Sequence, residues 1–178
     1  MSHKEQQEYC LKIKNRFSEF FIGKKVLDCG SLDINGNNRF LFEDCDYIGI
    51  DIGEGKNVDI VSIIHEFQAE KNIFDFIIST ECFEHDFHYE KSLIRIVELL
   101  KPGGMFLFTC ATTGRAEHGT ERSAKKDSPL TIGEWSNYYK NLTEKDIRQV
   151  LNIEDIFSDF EFEIENVHKD LLFYGIKK

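Results

Sequence analysis

Apolar residues in this chain come in short runs broken by polar and glycine-containing stretches, and the spacing within each run sets the element it predicts. Tyr9, Ile13, Phe17 and Phe20 recur at helical spacing, so one face of a helix is expected over about 3–21, stopped at Gly23. Residues 25–29 read as a buried strand that ends in an acid and small, turn-forming residues, from Asp28 to Asn38. A short helix or turn at about 38–42 precedes a second strand at 47–51, which again ends in a carboxylate, Asp51. A turn cluster at 53–57 separates it from a third β-branched run at 58–62, and a helical turn is expected at 66–71.

The fourth run, 74–80, is continuously hydrophobic, as in a parallel strand covered on both faces. Residues 89–100 place Leu93, Ile94, Val97 and Leu100 on one expected helical face, and Lys101-Pro102-Gly103-Gly104 stops that helix. A fifth strand follows at 105–110. The pattern then breaks over 111–141 into a long connection rich in polar and aromatic residues, read as a lid-like substrate insertion. Thr143 caps a helix at about 144–151 with Ile147, Val150 and Leu151 inward. The last two strands, 160–167 and 170–177, are joined by the turn His168-Lys169, so an antiparallel hairpin closes the sheet.

Alternating strands and helices predict an α/β fold with a mostly parallel sheet and right-handed crossovers. A length of 178 residues suits a single domain spanning 1–178, with 1–22 as an N-terminal helix. The net charge of −10 and the lack of a basic stripe argue against a nucleic-acid partner, whose affinity would rest on Lys and Arg meeting phosphates. Cys10, Cys29, Cys45, Cys82 and Cys110 are odd in number and never paired as C-x-x-C, which suits reduced thiols. With no signal-peptide pattern and no apolar run of membrane-span length, the expected location is the cytoplasm without membrane insertion.

Two consecutive strands end in acids, and in an open α/β sheet ligands gather at that rim. A charge there is costly unless a ligand or hydrogen bonds satisfy it. The motifs Val26-Leu27-Asp28-Cys29-Gly30-Ser31, Ile48-Gly49-Ile50-Asp51, 74–85 ending in Glu81-Cys82-Phe83-Glu84-His85, and Leu100-Lys101-Pro102-Gly103-Gly104 occur in order. Over about 24–112 the chain thereby resembles the class I S-adenosylmethionine-dependent methyltransferases, of the small type 11-like kind. The resemblance implies a Rossmann-like seven-stranded sheet of order 3-2-1-4-5-7-6, strand seven antiparallel, with helices on both faces.

It also implies a cofactor, S-adenosylmethionine, with S-adenosylhomocysteine as product. Carried over by position, Asp28, Gly30 and Ser31 pass beneath the methionine part, and Gly30 lets the backbone approach because it lacks a Cβ. Asp51, with Ile52 beside it, matches the acid that accepts hydrogen bonds from the ribose. Ser62, Ile63 and Ile64 edge the adenine, and Ser79, Thr80 and Glu81 lie by the methionine and sulfonium. Two positions depart from the family pattern: Leu32 replaces a usual second glycine, and Ile63 replaces a frequent adenine-contacting aspartate. Asn35-Gly36 could supply the tight turn one step later. The same departures remove the glycines that a nicotinamide-binding G-x-G-x-x-G would need.

Methyl transfer is an in-line displacement at a sulfonium, in which alignment does most of the work and a base is needed chiefly for a neutral hydroxyl. His118, His85 and Glu81 are the candidate catalytic residues, with Glu84 satisfying the same positional condition. Trp135, Tyr138 and Tyr139 either stack on a substrate ring or pack a helix onto the core. No metal is expected, because His85 and His88, three apart among acids, follow no established ligand spacing. The expected activity is methyl transfer to a small polar acceptor, read as O-methylation of a sugar or of a polysaccharide or metabolite precursor. The alternatives are a protein or nucleic-acid methyltransferase and a non-catalytic cofactor-binding partner subunit. A homodimer is left open.

Overall fold

A computed structural model describes residues 3–178. Its first strand, β1 (Lys25–Cys29), is buried over four of five residues because its side chains alternate between two cores. Leu27 and Cys29 point to one, and Val26 to the other. Parallel neighbours flank it: β2 (Asp46–Asp51) on one side and β4 (Phe74–Thr80) on the other. β3 (Ile60–Val61) forms the edge beyond β2, shorter than the expected five residues because both its side chains are exposed and only two pairs form.

Beyond β4 lie β5 (Leu100–Ala111), β7 (Asp170–Lys177) and β6 (Phe157–Glu165). β7 runs antiparallel to both neighbours, and the sheet order is β3-β2-β1-β4-β5-β7-β6. The motif-based sheet order is thus observed. The expected break at Lys101-Pro102-Gly103-Gly104 takes a different form. The ladder pairs Phe74 with Leu100 and resumes at Phe76 with Met105, so those four residues bulge out of β5. Gly103 supplies the positive φ, +76°, that the bulge requires.

Helices cover both faces. α1 (Lys4–Arg16) packs Tyr9, Cys10 and Ile13 onto Met105, Leu107 and Tyr174, and burying Tyr9 and Ile13 contributes roughly 1.5–3 kcal/mol each. It stops short of the expected 21, because Phe17 leaves helical geometry and a 3-10 turn, Ser18–Phe21, follows. The turn expected near 38–42 is a 3-10 turn at Arg39–Leu41, but the helical turn expected at 66–71 is absent: a 3-10 turn forms earlier, at Ile64–Glu66, and the chain leaves helical geometry at Phe67. On the other face α2 (Tyr89–Leu99) buries Leu93, Ile96 and Leu99. Ile94, assigned to that face by spacing, is 51% exposed, because the true stripe follows the i, i+3, i+6 row through Leu93.

α3 (Glu144–Val150) begins in a capping box: the Thr143 hydroxyl accepts from the Asp146 N–H, and the Asp146 carboxylate accepts from the Thr143 N–H at 2.9 Å. Ile147 is fully buried, and a one-turn helix, α4 (Ile153–Ile156), leads into β6. Among the described residues no helix is long and apolar enough to cross a membrane.

Candidate functional site

The carboxyl ends of β1, β2 and β4 open into a cavity lined by Asp28, Gly30, Ser31, Asp51, Ile52, Ser62, Ile63, Ile64, Thr80 and Glu81. Ten of the eleven residues assigned by motif to the cofactor therefore share one wall. Ser79 does not. Its side chain is fully buried and its hydroxyl donates to the Cys29 carbonyl at 2.9 Å, tying β4 to β1 below the cavity.

The backbone turns at Gly30 with φ +78°, and a Cβ there would stand 2.4 Å from the Cys82 sulfur, so the loop passes as close to β4 as a chain can. Asp51 organises the next step. Its Oδ2 accepts from the Leu32 N–H at 3.0 Å and its Oδ1 from the Ile52 N–H at 2.8 Å. Burial pushes its carboxyl up from the usual range while these two N–H groups pull it back. Leu32 lines the cavity and rests over Gly55. The loop after it is bent by Asp33, whose carboxylate accepts from the Gly36 N–H at 2.8 Å and from the Asn37 amide at 2.9 Å.

Asp28 is satisfied from below. The Tyr47 hydroxyl and the Asn38 amide donate to it, yet burial still lifts its carboxyl to about 7. Asn38 also donates to the Thr80 hydroxyl at 3.0 Å. It is a cavity-wall residue that motif spacing missed, and so are Cys82, Asp86 and the stretch 127–131. Asp86 is the nearest to a legible signal, since it follows directly on Glu84-His85. It is buried, its Oδ2 has no partner, and burial raises its carboxyl.

The three candidate catalytic residues fall into two groups. Glu81, at φ +53°, is buried and faces the amino-terminal end of α1. It accepts from the Thr109 hydroxyl at 2.9 Å, with the His3 ring 3.7 Å and the Arg115 guanidinium 3.9 Å away. Burial alone would raise its carboxyl, but the His3 and Thr109 interactions hold it at about 2, too low for a good base near neutral pH. His3 in turn lies 2.8 Å from Asp170, and Arg115 is 3.2 Å from the same carboxylate. Against the opposing effect of burial, these acids raise the imidazole to about 9.

His85 and His118 form the second group. Their rings meet edge to face at 5.1 Å, and Tyr139 lies 5.5 and 5.1 Å from them. His85 borders the cavity, whereas His118 stands behind it. Burial depresses both imidazoles, His85 to about 3, so both are neutral at pH 7. Glu84 sits fully buried beside them with neither carboxyl oxygen hydrogen-bonded among the described residues, and burial lifts it to about 8. His88 points elsewhere, its ring 4.9 Å from His65 and 5.6 Å from Trp135. Trp135 lines the cavity, while Tyr138 packs on Phe87.

The connection between β5 and α3 is pinned over the site. Asn141 donates to the Arg115 carbonyl at 2.9 Å, and the Lys140 N–H donates to the Glu84 carbonyl at 2.9 Å.

A family model described as a methyltransferase domain matches residues 1–165. The chain belongs to this methyltransferase-domain family. Together with the 3-2-1-4-5-7-6 sheet, that membership confirms the resemblance to class I S-adenosylmethionine-dependent methyltransferases. Phosphoethanolamine N-methyltransferase 2 of Caenorhabditis elegans is 32% identical to this methyltransferase domain over 124 residues, which is 60% of this chain and 28% of that protein. The chain thus spans little more than a quarter of that relative's length.

Among solved structures, Haemonchus contortus phosphoethanolamine N-methyltransferase 2 in complex with S-adenosyl-L-methionine superposes with a TM-score of 0.66. It is 19% identical, with 96% of this chain and 52% of that one covered. A Burkholderia thailandensis 1,6-didemethyltoxoflavin-N1-methyltransferase, with its acceptor and S-adenosylhomocysteine bound, gives a TM-score of 0.67. It is 16% identical, with 97% of this chain and 78% of that one covered. At these identities the structures speak for the shared fold.

Proposed function

We propose that this methyltransferase domain binds S-adenosylmethionine in the cavity at the β1–β2–β4 rim and moves its methyl group to an oxygen of a small polar acceptor, a sugar or related metabolite precursor. The observation that carries the reading is the junction of two environments. Gly30 and Asp51 shape one end of the cavity, and neutral His85 opens its wall toward His118 and Glu84.

Each part of the chain then has a task. Asp51 takes the ribose hydroxyls on the outer lone pairs of a carboxylate already fixed by two backbone donors, and Gly30 leaves room for the methionine portion. Ser62, Ile63 and Ile64 border the adenine. The stretch 127–131 and Trp135 close the far side as a lid, keeping water from the reacting atoms. In the reaction, the acceptor oxygen forms a bond to the methyl carbon as the carbon–sulfur bond breaks, and the pair returns to sulfur. The hydroxyl proton leaves toward the Glu84–His85–His118 cluster, with the His118 Nε2 lone pair as its acceptor and His85, held at about 3, lining the way. A neutral hydroxyl needs such a proton acceptor, so these rings favour oxygen over an already nucleophilic amine.

One observation favours a second reading: the relative at 32% identity is named for an N-methylation of phosphoethanolamine, which makes a small amine the alternative acceptor. Incubation with labelled S-adenosylmethionine and two panels, sugars and polyols against aminoalcohol phosphates, decides between them. Label transferred to the first panel supports oxygen, and transfer to the second alone replaces it with nitrogen. Label in neither, with donor demonstrably bound, removes the small-acceptor reading.

A further inference from the structure

Among the described residues, three groups of histidines and carboxylates bring one ligand atom each to within 4.8 Å of one another: His3 with Glu5 and His168, His3 with Glu81 and Asp170, and Glu84 with His85 and His118. In the first two, acids face cations at close range: His3, raised to about 9, lies 2.8 Å from Asp170, Arg115 lies 3.2 Å from the same carboxylate, and His168 lies 3.1 Å from Glu5. Among the described residues His3 Nε2, His168 Nδ1, Glu81 Oε2 and Asp170 Oδ2 make no hydrogen bond, but charge pairing compensates them. The third is open. Among the described residues, both oxygens of fully buried Glu84, both ring nitrogens of His85 and Nε2 of His118 have no hydrogen-bond partner, and the nearest approach, His118 Nε2 to Glu84 Oε1, is 4.0 Å.

A carboxylate and two imidazoles left unpaired inside a protein lose solvation with nothing in return, unless a ligand not yet in place takes their lone pairs. We infer that Glu84, His85 and His118 form a binding site for one divalent first-row metal ion that accepts imidazole, such as zinc, cobalt or manganese, beside the methyl-donor cavity. One carboxylate with two histidines is the donor set of open metal sites, which keep a position for a substrate oxygen. Two imidazoles disfavour magnesium and calcium, which prefer all-oxygen surroundings.

Local geometry prepares the ligands. His118 Nδ1 lies 3.1 Å from the Ala116 carbonyl, which fixes the proton on Nδ1 and presents the Nε2 lone pair toward Glu84 Oε1, 4.0 Å away. A ligating histidine is held in this way, by its other N–H on a backbone carbonyl. Gly119, next in the chain, has φ +70°, and a Cβ there would stand 2.6 Å from Cε1 of His85. The loop that carries His118 is thus moulded onto the His85 ring. Since the three atoms are no more than 4.8 Å apart, an ion between them starts at most about 2.8 Å from each, and small side-chain rotations reach the roughly 2.1 Å of a zinc–imidazole bond.

Local spacing predicts no metal because it compares His85 with His88. The true partner, His118, is supplied from beyond β5. The site stands on these residues alone. Its role, holding the acceptor's hydroxyl and lowering its pKa so that the proton passes to solvent instead of to the imidazoles, whose lone pairs the ion takes, rests on the methyl-transfer reading above.

The test strips the full chain with a chelator and titrates it with Zn2+, Co2+ and Mn2+ by calorimetry, following Co2+ by its visible absorption as well. The expected result is one ion per chain for at least one metal, about 100-fold weaker in Glu84→Gln and His118→Ala, with His3→Ala unchanged. His118→Gln serves if the alanine variant melts early. No binding of any of the three ions overturns the inference, and so does equal affinity in the His118 variants or a loss confined to His3→Ala. Titration with S-adenosylhomocysteine separates the two readings: metal bound without the nucleoside supports the ion site and removes its methyl-transfer role. The nucleoside bound without metal overturns the ion site alone.

Discussion

Replacing Asp51 with alanine removes the one carboxylate assigned to the donor's ribose. In the free protein its two oxygens already accept the Leu32 and Ile52 N–H groups at 3.0 and 2.8 Å, so the side chain is held in place before any ligand arrives. Hydrogen bonds to a charged group contribute about 1.5–3 kcal/mol each, but two hydroxyls sharing one carboxylate, each exchanged against water, leave a combined effect of about 2–3 kcal/mol. That corresponds to affinity lower by about 30- to 150-fold.

The assay is calorimetric titration with S-adenosylhomocysteine, whose neutral sulfur removes attraction between the sulfonium and the acidic rim from the comparison. Asp51→Asn keeps the shape and one acceptor while losing the charge, and is expected to fall about 10-fold. Circular dichroism checks that Leu32, deprived of its acceptor, has not taken the fold with it. An Asp51→Ala protein that melts normally and binds within about 3-fold of the parent refutes the assignment.

Gly30→Ala places a Cβ 2.4 Å from the Cys82 sulfur at φ +78°, so left-handed strain and overpacking together should destabilise the fold by about 2–4 kcal/mol in urea unfolding. Thr143→Ala dismantles the capping box of α3 and should cost about 1 kcal/mol in the same measurement without changing donor affinity. His3 titrates near 9 when folded against an ordinary 6.5, so its stabilisation is fully present below pH 6.5 and is lost as pH rises through 9. Because the ring sits at the protein's edge, screening leaves about 1–2 kcal/mol, read as the stability difference between the parent and His3→Ala at the two ends of that window.

The sheet was legible because each central strand is a mostly apolar run bounded by turn residues, and β1 and β4 begin and end where those runs do. That the motif-assigned residues would share one cavity wall was legible for a related reason: strand ends converge at one rim, and the order of four motifs locates them. Periodicity misled at Ile94, where an apolar residue on a helix flank satisfies the spacing of a buried face without being part of it. It also overextended α1, since Phe17 and Phe20 stay apolar beyond the last helical turn. Ser79 sits one residue below the rim, and strand alternation alone does not distinguish a hydroxyl turned into the sheet from one turned to a ligand.

The second environment was the least legible. His3 and Asp170 lie at opposite ends of the chain yet share an ion pair, and His118 meets Glu84 and His85 only because β5 carries the chain back across the sheet. Such pairings depend on how the insertion folds over the rim, which no local window contains. The same long-range closure leaves Glu84 buried without a hydrogen-bond partner among the described residues, a feature invisible before the three residues are brought together.

The most direct test of the account is a crystal structure of the full chain grown with S-adenosylhomocysteine. The account predicts the nucleoside in the β1–β2–β4 rim cavity, its ribose hydroxyls on the Asp51 carboxylate, its amino-acid portion over Gly30 and its sulfur facing the His85 wall. Density at another surface, or none at a saturating concentration, would contradict it.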